Sequence, residues 1–174
     1  VFHKNMKIFL SHMHGDHVLG LPGLLQTMAI MDRQNKLQVY GPNGIKHFLQ
    51  SVKEALQFSL TYPVEIYEIY SAGTICEEEE YTIEAAESNH VMSSFVYGFN
   101  EKQRPGKFYP EKARALGVPE GELWSKLQRG EKVKLTNGKT IKPEDIMGSM
   151  RKGRKIVYTG DTRPFEDFAR FASG

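Results

Sequence analysis

The chain has 174 residues and a mass of 19.8 kDa, enough for one domain with a sizeable core. Hydrophobic residues make up 40% and charged residues 25%, which excludes disorder over most of the length. The single cysteine, Cys76, excludes an internal disulfide framework and any cysteine-rich zinc module. No apolar run of about 18 residues exists, so no membrane partner is expected. Residues 1–7 carry no signal-peptide pattern and begin without a methionine. They run straight into a strand, so the chain looks trimmed at its start.

The net charge of +2 hides an asymmetry. Residues 1–100 hold 6 Lys/Arg against 11 Asp/Glu, or −5. Residues 101–155 hold 15 against 7, or +8, and residues 156–174 hold 2 against 3, or −1. A basic segment between two acidic ones points to a polyanionic partner, nucleic acid first.

In chain order, residues 6–10 (MKIFL) read as a buried strand and residues 12–17 as a polar loop. Pro22 suits the first turn of a helix ending near Met31. Residues 37–40 form a second strand, closed by Gly41-Pro42. Asn43 is positioned to cap the next helix. That helix carries Ile45, Phe48, Leu49, Val52 and Leu56 on one face. Val64, Ile66 and Ile69 mark a third strand. Residues 77–80, four glutamates, read as a solvated turn or strand edge. Tyr81, Ile83 and Ala85 alternate with more polar neighbours, as in a strand buried on one face. Residues 94–100 make another strand. Strands joined partly by turns and partly through helices indicate a layered α/β protein.

The basic segment has its own organisation. Residues 110–116 and 121–127 read as short helices. Val133 and Leu135 lead into Asn137-Gly138, a hairpin signal because both residues tolerate positive φ. Residues 140–141 are the return strand. The segment reads as an insertion, after which residues 155–159 (KIVYT) resume the strand pattern. Phe165, Phe168, Ala169 and Ala172 begin a last helix. Phe108, Tyr109 and Trp124 can stack on bases, but local packing is the favoured reading. Cys76 reads as a buried thiol.

Residues 11–17 (SHMHGDH) carry the chemistry. Three imidazoles and a carboxylate lie within six residues, directly after an apolar strand and before a helix. Imidazole suits zinc and other first-row metals, and a carboxylate can join or bridge them. His12 and His14 can face one ion, and Asp16 and His17 a neighbour. Two adjacent ions can clamp both oxygens of a phosphoryl displacement. His90 and Asp161 each follow a strand end, where a side chain can return to such a site. His3 and His47 have no comparable placement.

The stretch IFLSHMHGDHVLGLPGLL resembles the signature of tRNase Z, the tRNA 3′-processing endonucleases of the metallo-β-lactamase superfamily. RPGKF, KARALGVPEGELW and KGRKIVYTGDT extend the resemblance from Ile8 to about Arg170. The resemblance implies an α/β metallo-β-lactamase-type αβ/βα sandwich, incomplete here, with a small helix–helix–hairpin RNA-binding arm inserted. The core would be residues 1–101 and 155–174, and the arm residues 102–154. It implies two zinc ions in the complete enzyme. His12, His14 and His90 would hold the first and Asp16 and His17 the second. Asp161 would bridge both, and Asp16 would act as general base. The arm's Lys102, Arg104, Lys107, Lys112, Arg114, Lys126, Arg129, Arg151, Lys152 and Arg154 would contact RNA.

The implied reaction removes the 3′ trailer from precursor tRNA and leaves a 3′-hydroxyl. A cytoplasmic homodimer is implied, with arms reaching to tRNA held at the partner's site. One departure is local: Pro119-Glu120-Gly121-Glu122 replaces the family's Gly-Pro pair and adds two acids to an RNA-facing loop. The family's later metal-binding histidine and its His-Glu pair have no counterpart after His90. The chain is therefore expected to be an incomplete enzyme. Two alternatives stay open: a small-molecule hydrolase of the same superfamily acting on thioesters or lactones, and an inert RNA- or metal-binding fragment.

Overall fold

The computed structural model describes residues 4–173. The chain divides into two compact units: Val1–Asn100 with Lys155–Gly174, and Glu101–Arg154.

The first unit begins with β1 (Met6–Phe9), a single helical turn α1 (Gly15–Val18) and the helix α2 (Gly20–Ile30). There follow β2 (Leu37–Pro42), α3 (Ile45–Leu56), β3 (Val64–Ile69), β4 (Gly73–Glu77), β5 (Tyr81–Glu87) and β6 (Phe95–Glu101). β1, β2 and β3 form a parallel sheet in that order, with Met6 opposite Leu37 and Leu37 opposite Val64. β2 is central and buried on both faces, as parallel strands flanked by crossover helices must be. Its alternation divides two cores. Leu37 and Val39 face a cluster with Leu21, Leu25, Met28, Ile45 and Leu49 from the helices. Tyr40 faces the opposite way, towards Ile83, Ala85, Phe95 and Tyr97.

Those last residues belong to a second sheet of order β4-β5-β6-β9. Its final strand, β9 (Lys155–Tyr158), runs antiparallel to β6, and α7 (Phe168–Ala172) follows it. On β6, Gly98 points away from the inter-sheet core. A Cβ there would lie 3.1 Å from the Phe171 ring of α7. Glycine therefore lets α7 cover the outer face of this sheet. The layers run helices, sheet, sheet, helix.

Several local expectations are corrected. α3 is not capped by Asn43. Gly44 takes the N-cap position at φ +100, and its N–H donates to the Glu68 carboxylate at 2.8 Å. Leu56 is 61% exposed, because α3 ends there and the chain turns at Gln57 with φ +50. The glutamate run is exposed at the edge of a strand, as expected: Glu77 ends β4, residues 78–80 form the turn that follows, and Glu78 ion-pairs with Lys7. The histidine loop closes into the turn α1, and Phe165 precedes the last helix instead of opening it. Cys76 is buried and free.

The second unit contains α4 (Pro110–Ala115), α5 (Glu122–Gln128), β7 (Val133–Lys134), β8 (Thr140–Ile141) and α6 (Pro143–Ile146). It has its own core of Ala113, Val118, Leu127, Val133, Leu135, Ile141 and Ile146. In the hairpin only Gly138 adopts positive φ, at +82; the Asn137 side chain instead accepts the Lys139 N–H. α6 has no apolar periodicity to announce it. Pro143 starts it, and the Asp145 carboxylate accepts the Lys142 N–H at 2.8 Å.

Candidate metal centre

The histidine loop is held at both ends of its first two residues. The Leu10 N–H continues the β1–β2 ladder to the Tyr40 carbonyl at 2.9 Å. The Tyr97 hydroxyl donates to the Leu10 carbonyl at 2.6 Å, and the Phe95 N–H to the Ser11 carbonyl at 2.9 Å. Both sheets thus grip the point where β1 ends. Ser11 is buried, and its Oγ lies 3.0 Å from His12 Nδ1, which fixes the ring and turns Nε2 the other way.

His12 Nε2 faces His14 Nδ1 at 3.0 Å, and His90 Nε2 faces the same atom at 3.3 Å. One nitrogen meeting two others cannot satisfy all three by hydrogen bonding. Ligands at zinc–nitrogen distances stand about 3.3 Å apart around a tetrahedral ion. The spacing therefore fits a cation among the three. His17 also lies beside His12, 4.1 Å away between ring centroids. His17 Nε2 is 3.5 Å from Asp161 Oδ2 and 3.5 Å from Asp16 Oδ2. Among the described residues two three-donor groups result, His12–His14–His90 and His12–His17–Asp161, each with ligand atoms within 4.8 Å. Both groups can hold a metal ion.

His12 is fully buried. Burial first, then the neighbouring His17, His90 and His14, lower its pKa, against the opposing charge of Asp161. The ring is held neutral, the form that ligates metal.

Among the described residues Asp16 belongs to neither group; its side chain is 77% exposed and pairs with His17. His47 is exposed on α3, away from the cluster, and His3 lies outside the described residues. Sequence reasoning missed the supports Ser11, Tyr97 and Gly160. Gly160 has φ +57, and a Cβ there would come within 2.8 Å of Ser11 Cβ and Oγ. That close approach brings the following residue, Asp161, to His17. The readable signal was a glycine directly after the strand KIVYT.

The ten basic residues singled out in the second unit are unequally available. Glu101 pairs with Arg104 and Arg154, Glu120 with Arg114, Glu122 with Lys126, and Glu131 with Arg129. The two acids of the departing loop are thus partners of its cations. Lys107 and Lys112 lie over the Tyr109 ring, and the Arg151 Nε–H donates to the Pro105 carbonyl. Lys102 and Lys152 lie in the same unit. Trp124 packs on Phe108, and its Nε1–H donates to the Val118 carbonyl at 3.0 Å, so packing occupies it.

No protein-family model matches the chain. Individual proteins do. A ribonuclease Z of Nitrosopumilus maritimus is 44% identical over 170 residues, 98% of this chain and 56% of that protein. One of Methanosarcina acetivorans is 48% identical over 159 residues, 91% of this chain and 52% of that protein. The chain is ribonuclease Z-like. It spans about half the length of the curated relatives it matches. The structure of human tRNase Z, short form, is similar at a TM-score of 0.51 and 26% identity, covering 55% of this chain and 44% of that one. Over the part covered, the α/β architecture is similar to that of this structure, in line with the sandwich that the resemblance led us to expect. Among the described residues no helix is long and apolar enough to cross a membrane.

Proposed function

We propose that this protein is a zinc-dependent endoribonuclease that removes 3′ trailers from precursor tRNA, leaving a tRNA 3′-hydroxyl. The observation that carries the reading is the convergence of two three-donor groups on His12. His12, His14 and His90 would hold one ion. His17 and Asp161 would serve the second, and Asp16, 3.5 Å from His17, would join them. When bound, the metal supplies Lewis acidity and a water acidic enough to attack at neutral pH.

The remaining work falls to the protein. Ser11 keeps His12 in one orientation. Asp16, exposed and acceptor-only when ionised, takes the proton of the attacking water. The cations of the Glu101–Arg154 unit take backbone phosphates, which position the RNA without reading sequence. The surplus of positive charge in residues 101–155 supports an RNA substrate over a thioester or lactone, which needs no cationic module. The ribonuclease Z likeness supports an RNA substrate; a homodimer and a cytoplasmic setting complete the proposal.

The full-length protein, incubated with a 5′-labelled precursor tRNA, should release a shortened product with a ligatable 3′-hydroxyl. Chelation should stop cleavage and zinc should restore it. His14→Ala should lose both bound zinc and cleavage. Hydrolysis of thioesters or lactones with intact precursor would replace this reading by the small-molecule one.

A further inference from the structure

Beside the metal centre lies a second feature that the cleavage reading leaves unused. A cavity of about 370 Å³ is lined by Asn89, His90, Val91 and Arg163. That volume falls within the range of small-ligand subsites, about 300–1,000 Å³. One wall is His90, whose other neighbour is His14 of the first three-donor group. Anything seated in the cavity is therefore next to the reacting atoms.

Arg163 is held there by its backbone. Its N–H donates to the Asn89 carbonyl at 2.9 Å, and the Asn89 N–H donates to Thr162 Oγ1 at 3.1 Å. These bonds close an isolated antiparallel bridge between the two loops. The Arg163 side chain has no such engagement. Among the described residues its guanidinium makes no hydrogen bond or ion pair, and the residue is exposed. Asp161, two residues earlier, turns to His17 instead. By contrast Arg170, on the helix that follows, is spent on Asp167. Val91, which shares the cavity, is 78% exposed. An unpaired planar cation with an apolar neighbour, fixed beside a metal centre, suits a phosphate carrying a ribose or base edge.

We propose that Arg163 binds a backbone phosphate of the RNA that flanks the scissile linkage and so sets the register of cleavage. This rests on the endoribonuclease reading. Arg163 touches substrate and no metal, and its role is positioning by a charged hydrogen bond.

The test uses the full-length protein and a precursor tRNA. Arg163→Met should raise KM about tenfold with little change in kcat, and Arg163→Lys should recover part of the loss. Arg170→Met, the paired control, should match wild type. A set of precursors carries one uncharged methylphosphonate linkage each, at the two positions on either side of the cleavage site. At one of these the Arg163→Met penalty should vanish, because the phosphate charge it needs is already gone. An unchanged KM in Arg163→Met overturns the proposal. So does a penalty that persists at every linkage, which would mean a base contact or a structural role. If the wild-type protein leaves precursor tRNA uncut, the endoribonuclease reading itself has failed and this assignment falls with it.

Discussion

The hydroxyl of Tyr97 donates to the carbonyl oxygen of Leu10 at 2.6 Å, tying the middle of β6 to the residue where β1 gives way to the histidine loop. Both residues are buried. Removing the hydroxyl leaves a buried carbonyl without this donor, a loss of about 1–3 kcal/mol. Tyr97→Phe should therefore lower the urea midpoint at unchanged slope. It should also loosen His12, read as weaker zinc binding. Unchanged stability would mean that the β1–β2 ladder alone holds this corner.

Burial of Tyr97 also pushes its pKa well above the ordinary tyrosine range. Tyr40 is shifted the same way, first by burial and then by Cys76. Lys7 is raised as well: burial opposes its charge, but bonds to Glu78 and Tyr81 outweigh that. In each case the folded state holds the proton more tightly than the unfolded chain. The stabilisation is complete below about pH 10 and is lost as pH rises above it, where only the unfolded state releases protons. Denaturant midpoints from pH 8 to pH 11 should fall steeply at the alkaline end. Tyr97→Phe should flatten that limb. A flat wild-type profile would contradict the sign.

Gly160→Ala should act at a distance from every ligand atom. Its Cβ would press on Ser11 at 2.8 Å, and φ +57 disfavours any side chain. The turn must shift, and Asp161 with it. We expect zinc affinity at the His12–His17–Asp161 group to fall at least about tenfold, while the His12–His14–His90 group keeps its ion. Calorimetric titration resolves the two. Equal loss at both groups would point to general unfolding instead.

Asp16→Asn should separate binding from chemistry. The side chain is exposed and, among the described residues, pairs with His17, so the fold does not depend on it. The amide keeps the shape and loses the charge and basicity. In the full-length protein cleavage should fall by more than about a hundredfold, the scale of a lost general base. Precursor affinity and the ion at the His12–His14–His90 group should stay near wild type. Single-turnover kinetics with metal analysis in parallel measures all three. Near-normal cleavage would make Asp16 a spectator.

The acids of the second unit should restrain its cations. Glu120 pairs with Arg114 and Glu122 with Lys126, all at the surface. Exposed pairs contribute about 0–1 kcal/mol, so Glu120→Gln with Glu122→Gln should barely change stability. The two freed cations should tighten RNA binding a few-fold at low salt, with the difference shrinking as salt rises. Binding that weakens instead would show that the pairs pre-organise the loop.

Short-range order was already written in single segments. The apolar run before Ser11, the period of α3 through Leu49, the alternation of Ile83 and Ala85, and the turn at Gly138 each encode their element, because burial imposes a period on any strand or helix. The spacing of His12, His14 and His17 marked a metal loop for the same local reason. His90 and Asp161 already stood as candidates to return to that loop; the tertiary structure decided that they do so in two different donor groups that share His12. It also decided that Asp16 stays outside both groups, and that Glu120 faces Arg114. These outcomes depend on which strands pair, in what register, and on one close contact between Gly160 and Ser11. A residue's neighbours across a sheet are fixed by the packing of distant segments, and no single segment carries that information.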